Sequence, residues 1–169
     1  MDVGLLILRL VVGLTMAAHG AQKLLGWFGG YGIAGTGRFF EQLGFRPGRW
    51  HAAQAGLAEI LAGLFLAAGF LTAAAAVLVA VMLVAAVGVH LKGGFFAQNS
   101  GYEYTLVLGA VALALASTGP GAISLDRALG IAWSGPKWGL AALAAGLVGG
   151  AVPLIARRVP EAPAAPHTA

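Results

Sequence analysis

The sequence predicts an all-α integral membrane protein, a bundle of about five transmembrane helices. Three observations carry this reading. Of 169 residues, 59% are hydrophobic and only 9% are charged, where a soluble domain would carry roughly 25% charged residues. Mean hydropathy is +0.86. The apolar residues also fall into separate runs, most of them near the ~20 residues that cross a hydrocarbon core. Lipid cannot satisfy open backbone groups, and five segments cannot close a barrel, so the runs must be helices.

The first run is Val3 to Leu25. Asp2 stands where a cleavable signal would be basic, and Arg9 interrupts the run, so this segment is expected to stay as a membrane helix. A Gly-rich, aromatic stretch follows, from Gly26 to Trp50. Within it, Thr36 to Phe45 places Phe39, Phe40 and Leu43 on one face and Arg38, Glu41 and Gln42 on the other. That pattern predicts a short amphipathic helix near 36–45, lying in the membrane interface. Trp27, Tyr31 and Trp50 suit an aromatic belt beside it.

The second run, about His51 to Leu71, and the third, about Ala73 to Leu91, meet at a tight uncharged link, Gly69-Phe70-Leu71-Thr72. A single helix over both would reach roughly 60 Å, too long for one crossing, so two spans are predicted. The polar segment Lys92 to Gly101 precedes a short fourth run, Tyr102 to Ser117. A turn-rich stretch from Thr118 to Pro136 leads to the fifth, Lys137 to Ile155. Small residues at Gly63, Ala67 and Ala68, and at Gly139, Ala142, Gly146 and Gly150, predict close helix approach. The Pro/Ala-rich tail, 157–169, is expected to be disordered.

Charge and cysteine narrow the function. The net charge of +4 rests on too few residues to track a phosphate backbone, so no nucleic-acid partner is expected. The absence of cysteine removes disulfides, thiolate nucleophiles and iron–sulfur clusters. Lys23, Arg38, Arg46, Arg49, Lys92, Arg157 and Arg158 fall on one side of the predicted bundle, against Arg127 and Lys137 on the other. The positive-inside rule makes the richer side cytoplasmic, with the N-terminus outside and the C-terminus inside.

Ionisable groups inside spans cost ~2.5–3.5 kcal/mol each on insertion scales and usually face the bundle interior. His19, Gln22 and Lys23 share a helix face near the cytoplasmic end of the first run. Glu59 enters from the same side in the second, His90 closes the third there, and Gln98, Asn99, Tyr102 and Glu103 lead into the fourth. Arg9 lies at the opposite end, where Asp126 is its expected partner in a structural ion pair. Three readings of the one-sided cluster stand side by side. Its members can be architectural, through snorkelling lysines, belt tyrosines and a helix-capping His90. Alternatively, apolar walls with a few convergent polar groups suit a ligand such as a quinone head group. A metal or haem site has no motif spacing in its favour, and no metal is expected.

Several stretches together resemble the DoxX family: HGAQKLLGWFGG from His19, GTGRFFEQLG, Glu59 within AGLAEILAGL, HLKGGFFAQNSGYEYTLVL from His90, and GPGAISLDRAL from Gly119. In order they span residues 5 to 129. The resemblance implies a four-helix membrane core over 1–130 in a bacterial inner membrane; the additional transmembrane helix expected over 137–156 lies outside it and rests on hydropathy. It implies an auxiliary subunit, catalytic or non-catalytic, of an oxidoreductase system linked to quinone or sulfur-compound redox, with a redox protein partner at the cytoplasmic face. Under it, Glu59 and His19 would handle protons, while Lys23, Asn99 and Tyr102 would orient a polar head group. Gln22, His90, Gln98 and Glu103 complete the candidate ligand-binding set. The alternative is a non-catalytic membrane scaffold or a small-solute permease.

Overall fold

The computed structural model describes residues 1–158. In chain order the helices are α1 (Asp2–Leu25), α2 (Gly32–Gln42), α3 (Gly48–Ala68), α4 (Thr72–His90), α5 (Glu103–Thr118), the single turn α6 (Leu125–Ala128) and α7 (Pro136–Ala156). Four are long and apolar enough to cross a membrane: α1, α3, α4 with its following turn, and α7. The fourth run forms α5, of 16 residues, which reach only about 24 Å at 1.5 Å per residue. It is bounded by the loop at Gly101 and by Gly119-Pro120, and is shorter than a full crossing. The expected disordered tail starts with two placed residues: the Arg158 N–H donates to the Gly44 carbonyl at 2.9 Å. Its remainder lies outside the described residues.

Local chemistry explains where the helices stop. At the end of α3, Gly69 turns left-handed (φ 64°), its N–H donates to the Leu66 carbonyl, and the Phe70 N–H donates to the Phe65 carbonyl. Phe65 and Phe70 then stack edge to face at 5.1 Å. This is a Schellman ending with its apolar contact, and it divides two spans without a charge. The same device closes α2: Gly44 (φ 91°) donates to Glu41, Phe45 donates to Phe40, and the two rings lie 5.8 Å apart. A helix therefore stands where one was predicted near 36–45; it begins earlier, at Gly32, and ends at Gln42.

Packing rests on small residues. α1 and α3 run antiparallel, with Gly13 against Gly63 and Gly20 against Gly56. A Cβ added at Gly13 would sit 2.5 Å from the Gly63 carbonyl oxygen and 2.6 Å from the Ala67 nitrogen. Only glycine admits such a backbone approach. α4 and α7 run parallel and repeat the theme, with Gly146 against Ala80 and Gly150 against Val84. α7 packs on α4 and α5, with Gly139, Ala142, Gly146 and Gly150 as its buried stripe. Leu10 and Leu14 on α1, Leu57, Leu61 and Leu64 on α3, and Leu140, Leu147 and Val148 on α7 point outward, as lipid-facing positions do.

The two ends differ. Lys23, Arg46, Arg157 and Arg158 stand at one end, called here the basic end, and Arg9 and Asp126 are buried at the other, each 1% exposed. The expected Arg9–Asp126 ion pair does not form: no salt bridge joins them. Arg9 instead donates through Nη1 to the Pro120 carbonyl and through Nη2 to the Ile123 carbonyl, at 2.5 and 2.6 Å. Asp126 accepts the N–H groups of Leu71 (2.6 Å) and Thr72 (2.9 Å). The reason is the start of α4: its first amides have no partner within the helix, and a carboxylate is the favoured acceptor there. Leu71 is held left-handed (φ 45°) in the process. The two charges thus tie one knot by separate bonds. Asp126→Asn keeps one carbonyl oxygen and orphans one amide, so it should cost about 1–3 kcal/mol, read as a lower thermal midpoint in mild detergent. An unchanged midpoint would mean that the freed amide finds another acceptor.

Candidate functional site

Lys23 lies one turn beyond the Gly20–Gly56 crossing on α1, and Glu59 one turn beyond it on α3. Because the helices are antiparallel, those turns lie on opposite sides of the crossing. Side chains lean toward the N-terminus of their own helix. Lys23 therefore leans into the bundle and Glu59 toward the basic end, and they meet. Lys23 Nζ donates to both Glu59 carboxylate oxygens at 2.5 Å. This is the one salt bridge among the described residues, with the Glu59 side chain 8% exposed and that of Lys23 25%.

The pair forms part of the wall of a cavity of about 530 Å³. Phe39 and Phe40 of α2 and Leu43 just after it border the cavity, as do Ala55 and Ala58 of α3, Val81, Met82, Ala85, Ala86 and Val89 of α4, and Gly149 and Pro153 of α7. Its polar lining is Lys23, Glu59, His51, Gln54 and His90. The chamber thus lies between the α1–α3 pair and the α4–α7 pair, with the apolar face of α2 against it. A mostly apolar chamber with a few convergent polar groups is the usual form of a small-molecule site.

Of the sequence-predicted residues, Lys23, Glu59 and His90 come together here. His90 Nδ1 lies 2.8 Å from the Ser100 carbonyl. A carbonyl only accepts, so Nδ1 carries the proton in that bond. The others lie elsewhere. His19 turns to α5, with its Nε2 3.4 Å from the Tyr104 hydroxyl and the rings edge to face at 5.8 Å. Gln22 donates to the Phe28 carbonyl at 3.2 Å. Glu103 accepts the Ala97 N–H at 3.0 Å, and Tyr102 packs edge to face on Phe95 at 5.6 Å. Gln98 and Asn99 are exposed in the same loop. Gln98, Asn99, Tyr102 and Glu103 thus belong to the α4–α5 connection and its join to α5, Gln22 to the turn after α1 and His19 to the α1–α5 contact. None of them lines the chamber. No three His, Cys, Asp or Glu side chains converge as a metal site among the described residues.

His51 and Gln54 were missed by the sequence reading. Both sit in the first turns of α3, where polar residues at a membrane surface are ordinary. Their one distinguishing signal is spacing: 51, 54 and 58 fall on one helical face that leads to Glu59.

A model of the DoxX family matches residues 4–91. The chain belongs to the DoxX family. A relative from Bacillus subtilis (strain 168), named "Putative oxidoreductase CatD", is 31% identical over 126 residues, which cover 74% of this chain and 86% of that protein. No solved structure matches. The DoxX match takes in α1 to α4, and with them Lys23, Glu59 and His90. With its apolar spanning helices, this DoxX protein is a multi-pass membrane protein.

Proposed function

We propose that this DoxX protein is an auxiliary subunit of a quinone- or sulfur-linked oxidoreductase system, and that its chamber takes a quinone head group beside Lys23 and Glu59. The observation that carries the reading is a charged pair set in the wall of an apolar chamber of about 530 Å³. That volume lies within the ~300–1,000 Å³ of small-molecule pockets. The lining fits the group: the Lys23 ammonium suits a carbonyl oxygen, and Phe39, Phe40 and Phe45 suit an aromatic plane. A bound quinone supplies acceptance of two electrons and two protons.

The chain's own residues supply the rest. Lys23 Nζ donates a hydrogen bond to a carbonyl oxygen presented in the chamber, while Glu59 holds the ammonium in place. A carboxylate in contact with that ammonium accepts or returns a proton as charge changes nearby. This moves the proton-handling role from the His19–Glu59 couple to the Lys23–Glu59 couple. Electrons come from a redox protein partner docking at the basic end, which the positive-inside rule makes the cytoplasmic face of a bacterial membrane.

The test is purification in mild detergent followed by quinone extraction. Wild-type protein should carry quinone near one per chain, and Glu59→Gln should carry little. The glutamine still offers Lys23 one carbonyl oxygen, so the bundle should keep its fold, which a thermal midpoint checks. Quinone-free wild-type protein would remove the reading and leave the scaffold alternative.

A further inference from the structure

A second cavity, of about 540 Å³, opens at the basic end beside the chamber. It is lined by Gly44, Phe45, Arg46, His51, Pro153, Ala156, Arg157 and Arg158. Phe45, His51 and Pro153 border both cavities, so the two are neighbours. The lining differs sharply in chemistry. Arg46, Arg157, Arg158 and His51 line it, and among the described residues no carboxylate does. The arginines come from segments far apart in sequence: Arg46 from the α2–α3 loop, Arg157 and Arg158 from the end of α7. The bond from the Arg158 N–H to the Gly44 carbonyl draws those segments together. Like charges gather in one concave site at a cost, unless an anion offsets them.

We infer that this cavity binds a phosphate group, presented by an anionic phospholipid or by a soluble phosphate. Arginine forks match phosphate oxygens with two parallel N–H bonds. Basic pockets between membrane helices on the positive side take anionic lipid head groups in this manner. The apolar Phe45, Pro153 and Ala156 in the same wall suit the glycerol or acyl portion of a lipid. The inference does not depend on what the neighbouring chamber holds.

The experiment uses the full chain in detergent with three probes: phosphatidylglycerol, phosphatidylcholine and inorganic phosphate. Native mass spectrometry counts retained lipid, and the thermal midpoint reports protection. Wild-type protein should retain phosphatidylglycerol over phosphatidylcholine, and the preference should fall about fivefold for each of Arg46, Arg157 and Arg158 changed to Gln. Arg38→Gln, at the same end but outside the cavity, should bind as wild type does. Protection by phosphatidylglycerol alone assigns the phosphate to a lipid, and equal protection by inorganic phosphate assigns it to a soluble anion. Equal loss in Arg38→Gln would mean general surface charge and overturn the site. Wild-type indifference to all three probes would do the same.

Discussion

Glu59→Met alone should destabilise the protein by about 3–5 kcal/mol, because it leaves the Lys23 ammonium without its partner inside the bundle. Adding Lys23→Met should restore most of that loss, since replacing both members of a buried pair with apolar groups of similar volume is often near neutral. The measurement is a double-mutant cycle of thermal or denaturant midpoints in one detergent. A small effect of the single substitution would show that Lys23, whose side chain is 25% exposed, reaches water along its own stem. The cycle also separates stability from function. The restored double variant should fold and still lack the quinone that the wild type carries. A bundle that is stable without the pair would mean that the pair is kept for what it does in the chamber.

Gly63→Leu should have an effect of comparable size on the fold. A Cβ there meets the Gly13 carbonyl oxygen and lies 2.6 Å from the Ala17 nitrogen. Those are backbone atoms of another helix, and no rotamer change can relieve them. Overpacking a core commonly costs about 1–3 kcal/mol, and this contact stands at or above the top of that range. The expected result is loss of the monodisperse peak in size-exclusion chromatography. Gly4→Leu is the control: it lies on α1, the other helix of the seam, and an added Cβ meets nothing within 4 Å. If Gly63→Leu behaved as Gly4→Leu does, the α1–α3 seam would be far more pliable than its contacts indicate.

Helices, their approximate ends and the amphipathic α2 were legible because lipid enforces them through hydropathy and length. The stripe on α7 was legible as well, because its small residues recur at helical spacing. The partner of Glu59 was not. His19 and Lys23 share a face at i and i+4, and spacing alone cannot say which of them an antiparallel neighbour meets. The glycine seam decides it by setting how closely and at what level α1 and α3 cross. Gly13, Gly20 and Gly56 were passed over because each becomes informative only beside its counterpart on the other helix. Asp126 was placed at the right end, but its bonds go to backbone amides, and such partners leave no mark in a sequence.

The packing of α7 also bears on how the protein is made. The Lys23–Glu59 contact can form as soon as α3 joins α1 in the bilayer, early in synthesis. The chamber beside it stays open on one flank until Gly149 and Pro153 arrive with α7. A nascent chain therefore carries the charged pair well before it can enclose anything against it. Under the proposed function, capture of a quinone is confined to molecules in which α7 has already inserted.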